Sequence, residues 1–566
     1  MNSIPGIKFM KSALRLFSII VCLFMSVQSF AQVARPNVVI ILLDDVRFDA
    51  FQPSGGPSYF ITPSINSIAE EGANFKDFFC TYSLCVPGRG TISTGLYPHN
   101  NGAIGNYGKY YMSLPTIAKV LDSVGYHTAF IGKPDHDTSP QPGWDYWFVT
   151  NGPTQYVNGQ YWYFNQFQTI AGHRTKIIGD TAEKYVAKLD TPFFIEVSHQ
   201  VPHRPVEPQD QYKLSLAGND FPVPDNWPRY TWKFPSFLYE RPYFTDSQKV
   251  KNDYELMYEG LLGAEDNVRG ILDSLEARGI LKNTIVILMG DNGAQYGEHQ
   301  LSGKGLPSEA SMRVPCYIRY PAFFNAGTLV TDQIGLNLDI FPTILDAVGI
   351  KTDYHLQGMS LKDLANGNAA RDLFMYENIK IDVPNADDDT TITPSLRTIR
   401  SHNYKYNKYY CLHETEEFFD LVADPGENIN QIDNPSYQLL IDQYKTKLDS
   451  MEFVLNDTLS ADTILHDCHL VRGRRGVVIH HDGPNNLKLG SNPVEDALNF
   501  SFENESEEQA TVSVQNLLGE ILYRSSYAAN TTYVADQIDV SPLPSGIYYI
   551  NVRGGNSNMV RAFLKQ

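Results

Sequence analysis

Between Asn37 and about residue 350, the chain alternates strand-like apolar runs with segments of helical spacing. The runs occur at Val38–Leu43, Thr128–Ile131, Phe193–Val197 and Ile285–Met289. The first is apolar along its whole length, as expected of a strand buried on both faces. Leu114–Val124 and Tyr254–Arg278 instead show the 3.6-residue period of a helix. This alternation predicts an α/β domain with a mostly parallel sheet flanked by helices, which we assign to residues 32–370.

The pattern changes after about residue 370. Residues 397–400 and 404–406 alternate like strands of an antiparallel sheet, and a turn follows at 424–427. Residues 438–451 have helical spacing. These segments predict a smaller C-terminal α+β subdomain with an antiparallel sheet over residues 371–470.

The rest of the chain divides into a linker and a small β domain. Residues 471–490 are basic and then rich in Gly, Pro and Asn, which is typical of a linker. Residues 491–566 show short alternating strands separated by turn residues. This spacing predicts a small antiparallel β-sandwich.

The N-terminus has the parts of a secretory signal peptide. Three basic residues precede an apolar run at Leu16–Val27, and small residues at Ser29 and Ala31 permit cleavage. The run is shorter than the roughly 20 residues that span a bilayer, which disfavours the alternative of a membrane anchor. We therefore expect residues 1–31 to be removed, and the chain to be exported through the periplasm to the cell surface or the medium.

The charge balance argues against one class of partner. The chain has 566 residues, of which 42% are hydrophobic and 19% charged, and its formal net charge is -19. A nucleic-acid-binding protein needs a basic surface for the phosphate backbone, so we expect no nucleic acid partner. An anionic substrate remains compatible, because a local basic pocket can lie in an acidic protein.

Polar residues follow four of the predicted strands. They are Asp44 with Asp45, Lys133 with His136, Ser198 and His199 with His203, and Asp291 with Asn292. In an open α/β sheet, ligands bind outside the carboxyl ends of the strands. A single polar residue there is often only a turn or cap residue, but four strands ending in this way predict a common site.

Four of these residues suit a hard cation. Asp44, Asp45, Asp291 and Asn292 all offer oxygen, which Ca²⁺ and Mg²⁺ prefer. Adjacent carboxylates repel each other in a partly buried cleft, and a divalent cation removes that cost. A thiolate zinc site is disfavoured because the sequence has no CxxC pair.

The cysteines leave at least one thiol unpaired. Removal of the signal peptide leaves Cys80, Cys85, Cys316, Cys411 and Cys468. An odd number in an exported protein means that one is free or chemically modified. Cys85 begins the segment CVPGR, residues 85–89. It is open at this point whether Cys85 forms a disulfide with Cys80, is an inert buried thiol, or carries chemistry.

The segment CVPGR resembles the Cys-x-Pro-x-Arg motif of the type I sulfatases, a branch of the alkaline phosphatase superfamily. Further motifs follow in the family's order: Leu43-Asp44-Asp45, Gly132-Lys133 with His136 at the spacing of iduronate-sulfatase-like members, Pro202-His203-Arg204-Pro205, Gly290-Asp291-Asn292-Gly293, Gly297-Glu298-His299 and Gly303-Lys304-Gly305. The similarity spans about residues 35–450. The chain departs from the pattern at Gly88, where Ser is most usual, at Gly90, where Ala or Thr is common, and at Pro134, where many members carry Trp.

The resemblance implies a modified residue and a metal ion. A formylglycine-generating maturation enzyme would convert Cys85 to Cα-formylglycine (3-oxoalanine). One Ca²⁺ per active site, with Mg²⁺ less favoured, would be held by Asp44, Asp45, Asp291, Asn292 and the modified Cys85. The fold implied is that of alkaline phosphatase.

The resemblance also implies a role for each of the other site residues. Hydrated formylglycine would attack sulfur, while Lys133 and Lys304 stabilise the developing charge. His203 would protonate the departing alcohol, and His136 would deprotonate the second hydroxyl to release sulfate. Arg89 would hold the diol and the metal-binding carboxylates in place.

Several other polar residues have less specific interpretations. We expect His99 and His299 to be structural hydrogen-bonding residues. Arg47, His199 and Arg204 either bind the rest of the substrate or form ion pairs, and both interpretations are open. We expect the loops around residues 106–111, 137–147 and 219–242 to select the substrate.

The C-terminal region has its own resemblance. Residues 491–494, 514–520, 543–549 and the final Lys565-Gln566 are similar to the sorting domain of the type IX secretion system. This resemblance implies the type IX machinery as a partner. The alternative is a carbohydrate-binding β-sandwich.

These features predict a secreted sulfuric ester hydrolase. Its substrate would be a sulfated polysaccharide or its oligosaccharides, with ulvan or another algal polysaccharide favoured by the secretion route. One alternative is a phosphonate or phosphodiester hydrolase of the same superfamily. Another is a non-catalytic glycan-binding relative.

Overall fold

The computed structural model describes residues 35–457 and 487–565, with short gaps. The gaps are 107, 135–136, 153–154, 190–191, 228–234, 240–245, 380–392, 411–415, 490–493, 495, 504–508, 517–520, 530–532, 545 and 555–556. The predicted signal peptide and most of the predicted linker therefore lie outside the described residues. So does His136.

Strands and helices alternate through the first part of the chain. The strands up to residue 420 are β1 (Asn37–Leu43), β2 (Ala73–Phe75), β3 (Phe78–Phe79), β4 (His127–Gly132), β5 (Tyr146–Asn151), β6 (Gln160–Tyr163), β7 (Gln166–Thr169), β8 (Phe193–Ser198), β9 (Thr284–Gly290), β10 (Gln295–Tyr296), β11 (Ser302–Gly303), β12 (Cys316–Arg319), β13 (Thr328–Val330), β14 (Gly335–Leu336), β15 (Leu373–Asn378), β16 (Leu396–Ser401), β17 (Tyr404–Tyr409) and β18 (Glu417–Asp420). The α-helices are α1 (Pro63–Glu70), α2 (Cys85–Thr94), α3 (Pro98–Asn101), α4 (Ile117–Ser123), α5 (Arg174–Val186), α6 (Ser247–Ala277), α7 (Glu309–Met312), α8 (Ile340–Val348), α9 (Leu361–Ala365) and α10 (Gln438–Val454).

Ten strands form one large sheet in the order β13-β2-β12-β9-β1-β8-β4-β5-β6-β7. Its centre, from β9 to β5, is parallel throughout. Antiparallel strands extend it on both sides, with β12 beside β9 and the β6–β7 hairpin beside β5. The predicted α/β fold with a mostly parallel sheet is confirmed.

The two faces of the sheet carry separate apolar cores. Side chains along a strand point alternately to opposite faces. Val39, Ile41 and Leu43 of β1 therefore join one core with α1, α5 and α6, while the residues between them join the other with α4, α8 and α9. Every residue of β1 is buried. Burying each such aliphatic side chain contributes about 1.5–3 kcal/mol, so β1 anchors both helical layers.

The C-terminal subdomain packs directly on the α/β domain. Strands β15 to β18 form an antiparallel sheet, and α10 covers it with Ile441, Tyr444 and Leu448. The same core includes Phe79 and Leu336 from the α/β part. The predicted antiparallel α+β region is confirmed, and its core is continuous with that of the α/β part.

The last strands form two small sheets around one core. They are β19 (Lys488–Leu489), β20 (Ala497–Glu503), β21 (Ala510–Gln515), β22 (Ile521–Tyr527), β23 (Tyr533–Asp539), β24 (Gly546–Gly554) and β25 (Ser557–Lys565). One sheet has the order β19-β20-β23 and the other β22-β21-β24-β25. Leu498 and Phe500 from the first meet Val512 and Ile550 from the second in a shared core. The predicted β-sandwich is confirmed.

Within the described part of the chain, none of the helices combines the length and the apolar character needed to cross a membrane.

Gly132, the last residue of β4, is required where β4 meets β8. Its φ of 124° is unfavourable for other residues, and a Cβ there would lie 1.9 Å from the carbonyl oxygen of Ser198. We expect Gly132→Ala to destabilise the protein by at least about 3 kcal/mol, because backbone atoms must move. Gly125→Ala is the matched control, since its φ of 88° is also positive but no atom lies within 4 Å of the added Cβ. Thermal unfolding of both variants tests this, and equal losses of Tm would show that the contact with Ser198 is not restrictive.

Candidate active site

The polar strand ends meet at one edge of the sheet. Strands β9, β1, β8 and β4 are consecutive neighbours. Asp291, Asp44, Ser198 and Lys133 lie at or just beyond their carboxyl ends, so parallel pairing brings these residues side by side. The backbone N–H of Asp291 donates to Leu43 O over 3.1 Å, which ties the loops after β9 and β1 together.

Asp44 and Asp45 lie at the centre of the cluster. Both are buried, and the ammonium groups of Lys133 and Lys304 donate to Asp44 and Asp45 respectively. Burial alone would raise the pKa of both carboxyls. The positive charges outweigh burial: the pKa of Asp44 is lowered mainly by Lys133 and then by His203, and that of Asp45 mainly by Lys304. Both carboxylates are therefore ionised at neutral pH.

Asp45 has a strained backbone. Its φ is 65°, in the left-handed region that residues with a Cβ rarely adopt. The strain is held by two hydrogen bonds: Asp45 N–H donates to Asp291 Oδ1 over 3.1 Å, and Asn292 Nδ2 donates to Asp45 Oδ1 over 2.7 Å. Such strain costs about 1–3 kcal/mol and concentrates at functional sites.

Cys85 is the first residue of helix α2 and reaches into this cluster. Its Sγ lies 3.2 Å from Asp44 Oδ1, 3.2 Å from Lys133 Nζ and 2.7 Å from Lys304 Nζ. The thiol is buried and unpaired, and so is that of Cys80, which rules out a disulfide between them in this structure. Burial, followed by the charge of Asp44, raises the pKa of Cys85 to about 12. The unmodified thiol is therefore protonated at neutral pH and is a poor nucleophile.

Two departures from the family motif have a packing explanation. A Cβ on Gly88 would lie 2.6 Å from the carbonyl oxygen of Asp291, and one on Gly90 would lie 2.9 Å from Ala103 Cβ. Helix α2 thus packs directly against the loop that follows β9. Gly88 allows that approach, whereas Gly90 allows α2 to pack closely against Ala103.

Arg89 connects the elements of the site. Its Nε donates to Asp291 Oδ2 over 2.9 Å, and its Nη1 donates to Lys133 O over 3.0 Å and to Ser198 Oγ. Ser198 Oγ in turn donates to Lys133 O over 2.6 Å. Arg89 is fully buried, so the planar guanidinium fixes the loops after β4, β8 and β9 relative to helix α2.

The oxygen donors suit a divalent cation. Carboxylate oxygens of Asp44, Asp45 and Asp291 all lie within 4.8 Å of one another. Asn292 Oδ1 is buried and has no hydrogen-bond partner among the described residues. Burial, and then the charge of Asp44, raise the pKa of Asp291 to about 7 despite Arg89. A hard cation would use the unpaired oxygen and favour the ionised form of Asp291.

His203 lies on the solvent side of the cluster. Its Nε2 is 3.9 Å from Asp45 Oδ2, and its Nδ1 is buried without a hydrogen-bond partner among the described residues. Burial lowers the pKa of His203, although Asp45 and Asp44 oppose this shift. The imidazole is thus near the carboxylates and at the mouth of the site, where a proton can be exchanged with a bound molecule.

The structure gives the positions of the three residues whose roles the sequence left open, Arg47, Arg204 and His199. Arg47 is buried and pairs with Asp49 over 2.8 Å and with Glu298, so it is an ion-pair residue. Arg204 donates to Ser302 Oγ over 2.9 Å and stacks on Tyr296, with its Cζ 4.6 Å from the ring centroid. His199 is fully buried, and neither ring nitrogen has a partner in the described part of the chain.

The two histidines expected to be structural have internal hydrogen bonds. His99 Nδ1 lies 2.6 Å from Glu377 Oε2, and His99 Nε2 lies 3.1 Å from Leu455 O. Asn226 Nδ2 lies 3.3 Å from His299 Nε2. The sequence places Ser198 among the polar residues at a strand end but assigns it no specific role; in the structure its hydroxyl joins Arg89 to the Lys133 carbonyl. The sequence signal that could have identified Ser198 as a site residue was its position at the end of β8.

Two of the loops expected to select a substrate border the site. Asn106 Oδ1 accepts from Val86 N–H over 3.4 Å, and Lys109 Nζ lies 2.6 Å from Asp137 Oδ2. The first loop thus touches helix α2 next to Cys85 and is linked to the second. Much of the third, residues 219–242, lies outside the described residues.

Three family models match the chain. The model described as Sulfatase matches residues 36–350, which is more than half of the chain. The model described as N-sulphoglucosamine sulphohydrolase, C-terminal, matches residues 297–453. The model described as Secretion system C-terminal sorting domain matches residues 491–566.

Known proteins show the same similarity. An N-acetylglucosamine-6-O-sulfatase of Bacteroides thetaiotaomicron is 25% identical over 475 residues, which cover 71% of this chain and 84% of that protein. An ulvan-active sulfatase of Formosa agariphila is 26% identical over 494 residues, which cover 80% and 88%. A solved structure of a protein in complex with its substrate D-glucosamine-2-N,6-O-disulfate matches with a TM-score of 0.69 at 24% identity, covering 76% of this chain and 99% of that one. This likeness supports the fold.

Arg89 should control how tightly helix α2 is held. Arg89→Lys keeps the charge but loses the forked donors, and each lost buried hydrogen bond costs about 1–3 kcal/mol. In protein that retains the Cys85 thiol, we expect roughly tenfold faster alkylation of Cys85 by iodoacetamide, as a loss of about 1.4 kcal/mol would give. The rate can be measured on the Cys85 peptide by mass spectrometry.

Arg319→Lys is the matched control for this change. Arg319 is also buried, donates to Glu71 Oε2 over 2.8 Å and to Leu281 O over 3.1 Å, and lies on β12 away from the site. We expect it to lower Tm without changing the alkylation of Cys85. A similar acceleration in both variants would contradict a specific role for Arg89.

Proposed function

The chain belongs to the sulfatase family of the alkaline phosphatase superfamily and is a sulfuric ester hydrolase; from this premise we propose that its nucleophile is formylglycine derived from Cys85. The observation that carries the proposal is the surroundings of Cys85 Sγ. Two ammonium groups and a carboxylate lie within 3.2 Å of this atom. A residue at this position therefore lies beside two positive charges that can hold sulfate oxygens and beside a carboxylate of the proposed metal site.

The unmodified side chain does not suit the reaction. A thiol whose pKa is raised to about 12 attacks poorly, and a sulfated Cys or Ser would have no internal group to release the sulfate. The hydrate of the formylglycine aldehyde supplies one hydroxyl that bonds to sulfur and a second whose deprotonation expels sulfate and restores the aldehyde. We therefore include a formylglycine-generating enzyme among the partners of this chain.

The protein's own cations and histidines complete the proposal. Lys133 and Lys304 both contact Cys85 Sγ, so their ammonium groups can hold sulfate oxygens and stabilise negative charge in the transition state. His203, at the mouth of the site, donates a proton to the alcohol oxygen as its bond to sulfur breaks. His136, which lies outside the described residues, is proposed to take the proton of the second hydroxyl. Arg89 keeps Asp291 and the Lys133 loop in position.

We propose that the cation is Ca²⁺, held by Asp44, Asp45, Asp291, Asn292 and the modified Cys85. Four hard oxygen donors in a buried cluster fit Ca²⁺ or Mg²⁺, and the unpaired Asn292 Oδ1 supports a ligand at that point. Bound there, a divalent cation would offset the buried carboxylate charge and withdraw electron density from sulfate oxygens.

The proposed substrate is a sulfated polysaccharide or its oligosaccharides. Relatives include an N-acetylglucosamine-6-O-sulfatase and an ulvan-active sulfatase, so sulfated glycans are the substrate class that similarity favours. Among them we favour ulvan or another algal polysaccharide. A polymeric substrate is also consistent with export of the enzyme, because polysaccharides are encountered outside the cell.

The export route forms part of the proposal. Residues 491–566 match a secretion sorting domain, which supports type IX secretion to the cell surface or the medium. We propose that residues 1–31 direct the chain to the periplasm, that residues 32–370 and 371–470 form the catalytic unit, and that residues 471–490 link it to the sorting domain. The sorting domain then engages the type IX machinery.

Replacement of Cys85 tests the proposed nucleophile. We expect Cys85→Ser to lower sulfate release from an aryl sulfate at least about a thousandfold, because the Ser hydroxyl has no gem-diol partner to expel sulfate. Cys316→Ala, which changes another buried free thiol on β12, should retain activity. Sulfate release by ion chromatography and Tm should be measured together.

Full activity of Cys85→Ser with an unchanged Tm would overturn the proposed mechanism. The same assay with an aryl phosphodiester addresses the phosphodiesterase alternative. We expect the wild type to favour the sulfate ester, and a higher kcat/KM for the phosphodiester would favour the alternative. Activity on neither substrate, in protein that carries formylglycine, would favour a glycan-binding role.

Calcium should stabilise the folded protein through the proposed site. A ligand at a hundredfold excess over its Kd adds about 2.7 kcal/mol to stability, so Ca²⁺ should raise Tm by a few degrees after treatment with EDTA. Asp45→Asn should abolish most of this rise, because it removes one of the proposed charged ligands. Asp49→Asn is the control, since Asp49 pairs with Arg47 and is not among the proposed ligands. A Tm that does not respond to Ca²⁺ in the wild type would contradict the proposed site.

A further inference from the structure

A segment next to the candidate site has an unusual composition. Residues 146–172 contain no Asp, Glu, Lys, Arg or His, although 19% of the chain is charged. Aromatic and amide side chains take their place, as in Gln160-Tyr161-Trp162-Tyr163 and Gln166-Phe167-Gln168. Surfaces of this kind combine flat apolar rings with hydrogen-bonding groups and carry no net charge.

The segment forms the β6–β7 hairpin at one edge of the large sheet. Gln160 pairs with Thr169, and Trp162 pairs with Phe167, so these four side chains share one face of the hairpin. The rings of Trp162 and Phe167 lie 5.1 Å apart, and Phe167 is 48% exposed. Gln160 and Thr169 are also exposed, while Trp162 is half-buried. We call these four residues the hairpin platform.

The hairpin platform includes residues of β7, an edge strand of the large sheet that carries no charged side chain. Exposed edge strands promote aggregation, and proteins usually protect them with charged side chains or short length. Strand β7 is four residues long, all of them exposed, and none of them is charged. The short length of β7 limits pairing with other chains, and its exposed, uncharged side chains leave the platform accessible to a ligand.

The platform is linked to the candidate active site. Between β5 and β6, the Tyr156 hydroxyl donates to the backbone carbonyl of His203 over 2.8 Å. Strands β4, β5, β6 and β7 are consecutive neighbours in the sheet, and β4 leads into Lys133. At about 4.8 Å for each strand, the platform lies roughly 14 Å from β4. A ligand long enough to leave the active site can therefore reach the platform.

We infer that the hairpin platform is a second binding surface for the glycan chain whose sulfate ester is hydrolysed at the active site. The inference rests on the proposed glycan substrate. The Phe167 and Trp162 rings stack on the apolar faces of sugar rings, and Gln160 and Thr169 bond their hydroxyls. The platform holds a polymer while individual sulfate groups are presented to the active site.

The charge of the protein favours this kind of contact. A sulfated polymer is a polyanion, and the chain has a formal net charge of -19. The protein as a whole therefore repels the polymer, over distances up to about one Debye length, near 8–10 Å. An uncharged surface made of rings and amides can bind the sugar backbone without that cost.

A second copy of the chain fits the platform less well. A stable interface between subunits buries about 800 Å² on each partner. The two rings of the platform bury about 150–250 Å² each when fully covered, and both are partly covered already, which leaves roughly 200 Å². That area suits a short stretch of a glycan chain.

The test measures polymer binding separately from catalysis. The probe is ulvan in native affinity electrophoresis, run on full-length protein carrying Cys85→Ala so that the polymer is not desulfated during the run. Phe167→Ala should weaken retention about fivefold, because stacking of one ring contributes about 1 kcal/mol. Phe167→Asp should weaken it further, since it adds a charge that repels the polymer. In protein with Cys85 intact, both changes should leave aryl sulfate hydrolysis unchanged.

Leu329 provides a matched control on the opposite edge of the same sheet. It lies on edge strand β13 and is 56% exposed, so Leu329→Ala and Leu329→Asp make equivalent changes far from the platform. These variants should bind ulvan like the parent. Unchanged retention after Phe167→Asp would overturn the inference.

Three further results distinguish stacking on a glycan from subunit association, from a different substrate and from attraction by charge. A concentration-dependent dimer in sedimentation velocity that Phe167→Asp dissociates would identify the platform as a subunit interface and overturn the inference. Failure of the wild type to release sulfate from any glycan would instead refute the proposed substrate, and it is measured independently of retention. Retention that Phe167→Ala weakens at both low and high salt supports stacking, whereas loss of all retention at high salt would assign binding to charge and contradict the platform.

Discussion

Three buried carboxylates within a few ångströms of one another constrain the rest of the structure. Asp44, Asp45 and Asp291 come from the ends of two neighbouring strands, and their mutual repulsion in a buried cluster is costly. Lys133, Lys304 and Arg89 supply the opposing charges. Each of these comes from a different element, so the cluster is stable only when the sheet, helix α2 and the loop after β11 are all in place. Cys85 lies among these charges because it is the first residue of helix α2, which also carries Arg89.

Much of this could be predicted from the sequence because parallel sheets have simple rules. The apolar run of β1 identifies a strand buried on both faces, and polar residues that follow such strands must share one edge of the sheet. That rule brings Asp44 and Asp291 together without any knowledge of side-chain positions. Helix α6 was predicted to begin at Tyr254 but begins at Ser247, because Asp246 caps the helix and its first turns are polar.

The remainder depends on contacts that a local pattern does not contain. Lys304 follows a two-residue strand and has no periodic signal, so only the resemblance to a family motif indicated its role. The glycines at 88 and 90 appeared as departures from that motif, yet Gly88 permits the close packing of α2 against the Asp291 loop and Gly90 its close packing against Ala103. The short antiparallel strands β6, β7 and β12 were not predicted, since strands of four residues resemble loops in sequence.

The proposed mechanism requires that the encoded thiol of Cys85 is not the reacting group, and a mass spectrum of the Cys85 peptide tests this requirement. Protein exported by its native host should be assayed for aryl sulfate hydrolysis and then digested to isolate the peptide that contains Cys85. We expect active protein to yield this peptide with a mass lower by the difference between H₂S and O, which marks the aldehyde. Active protein whose Cys85 peptide carries only the thiol would contradict the account.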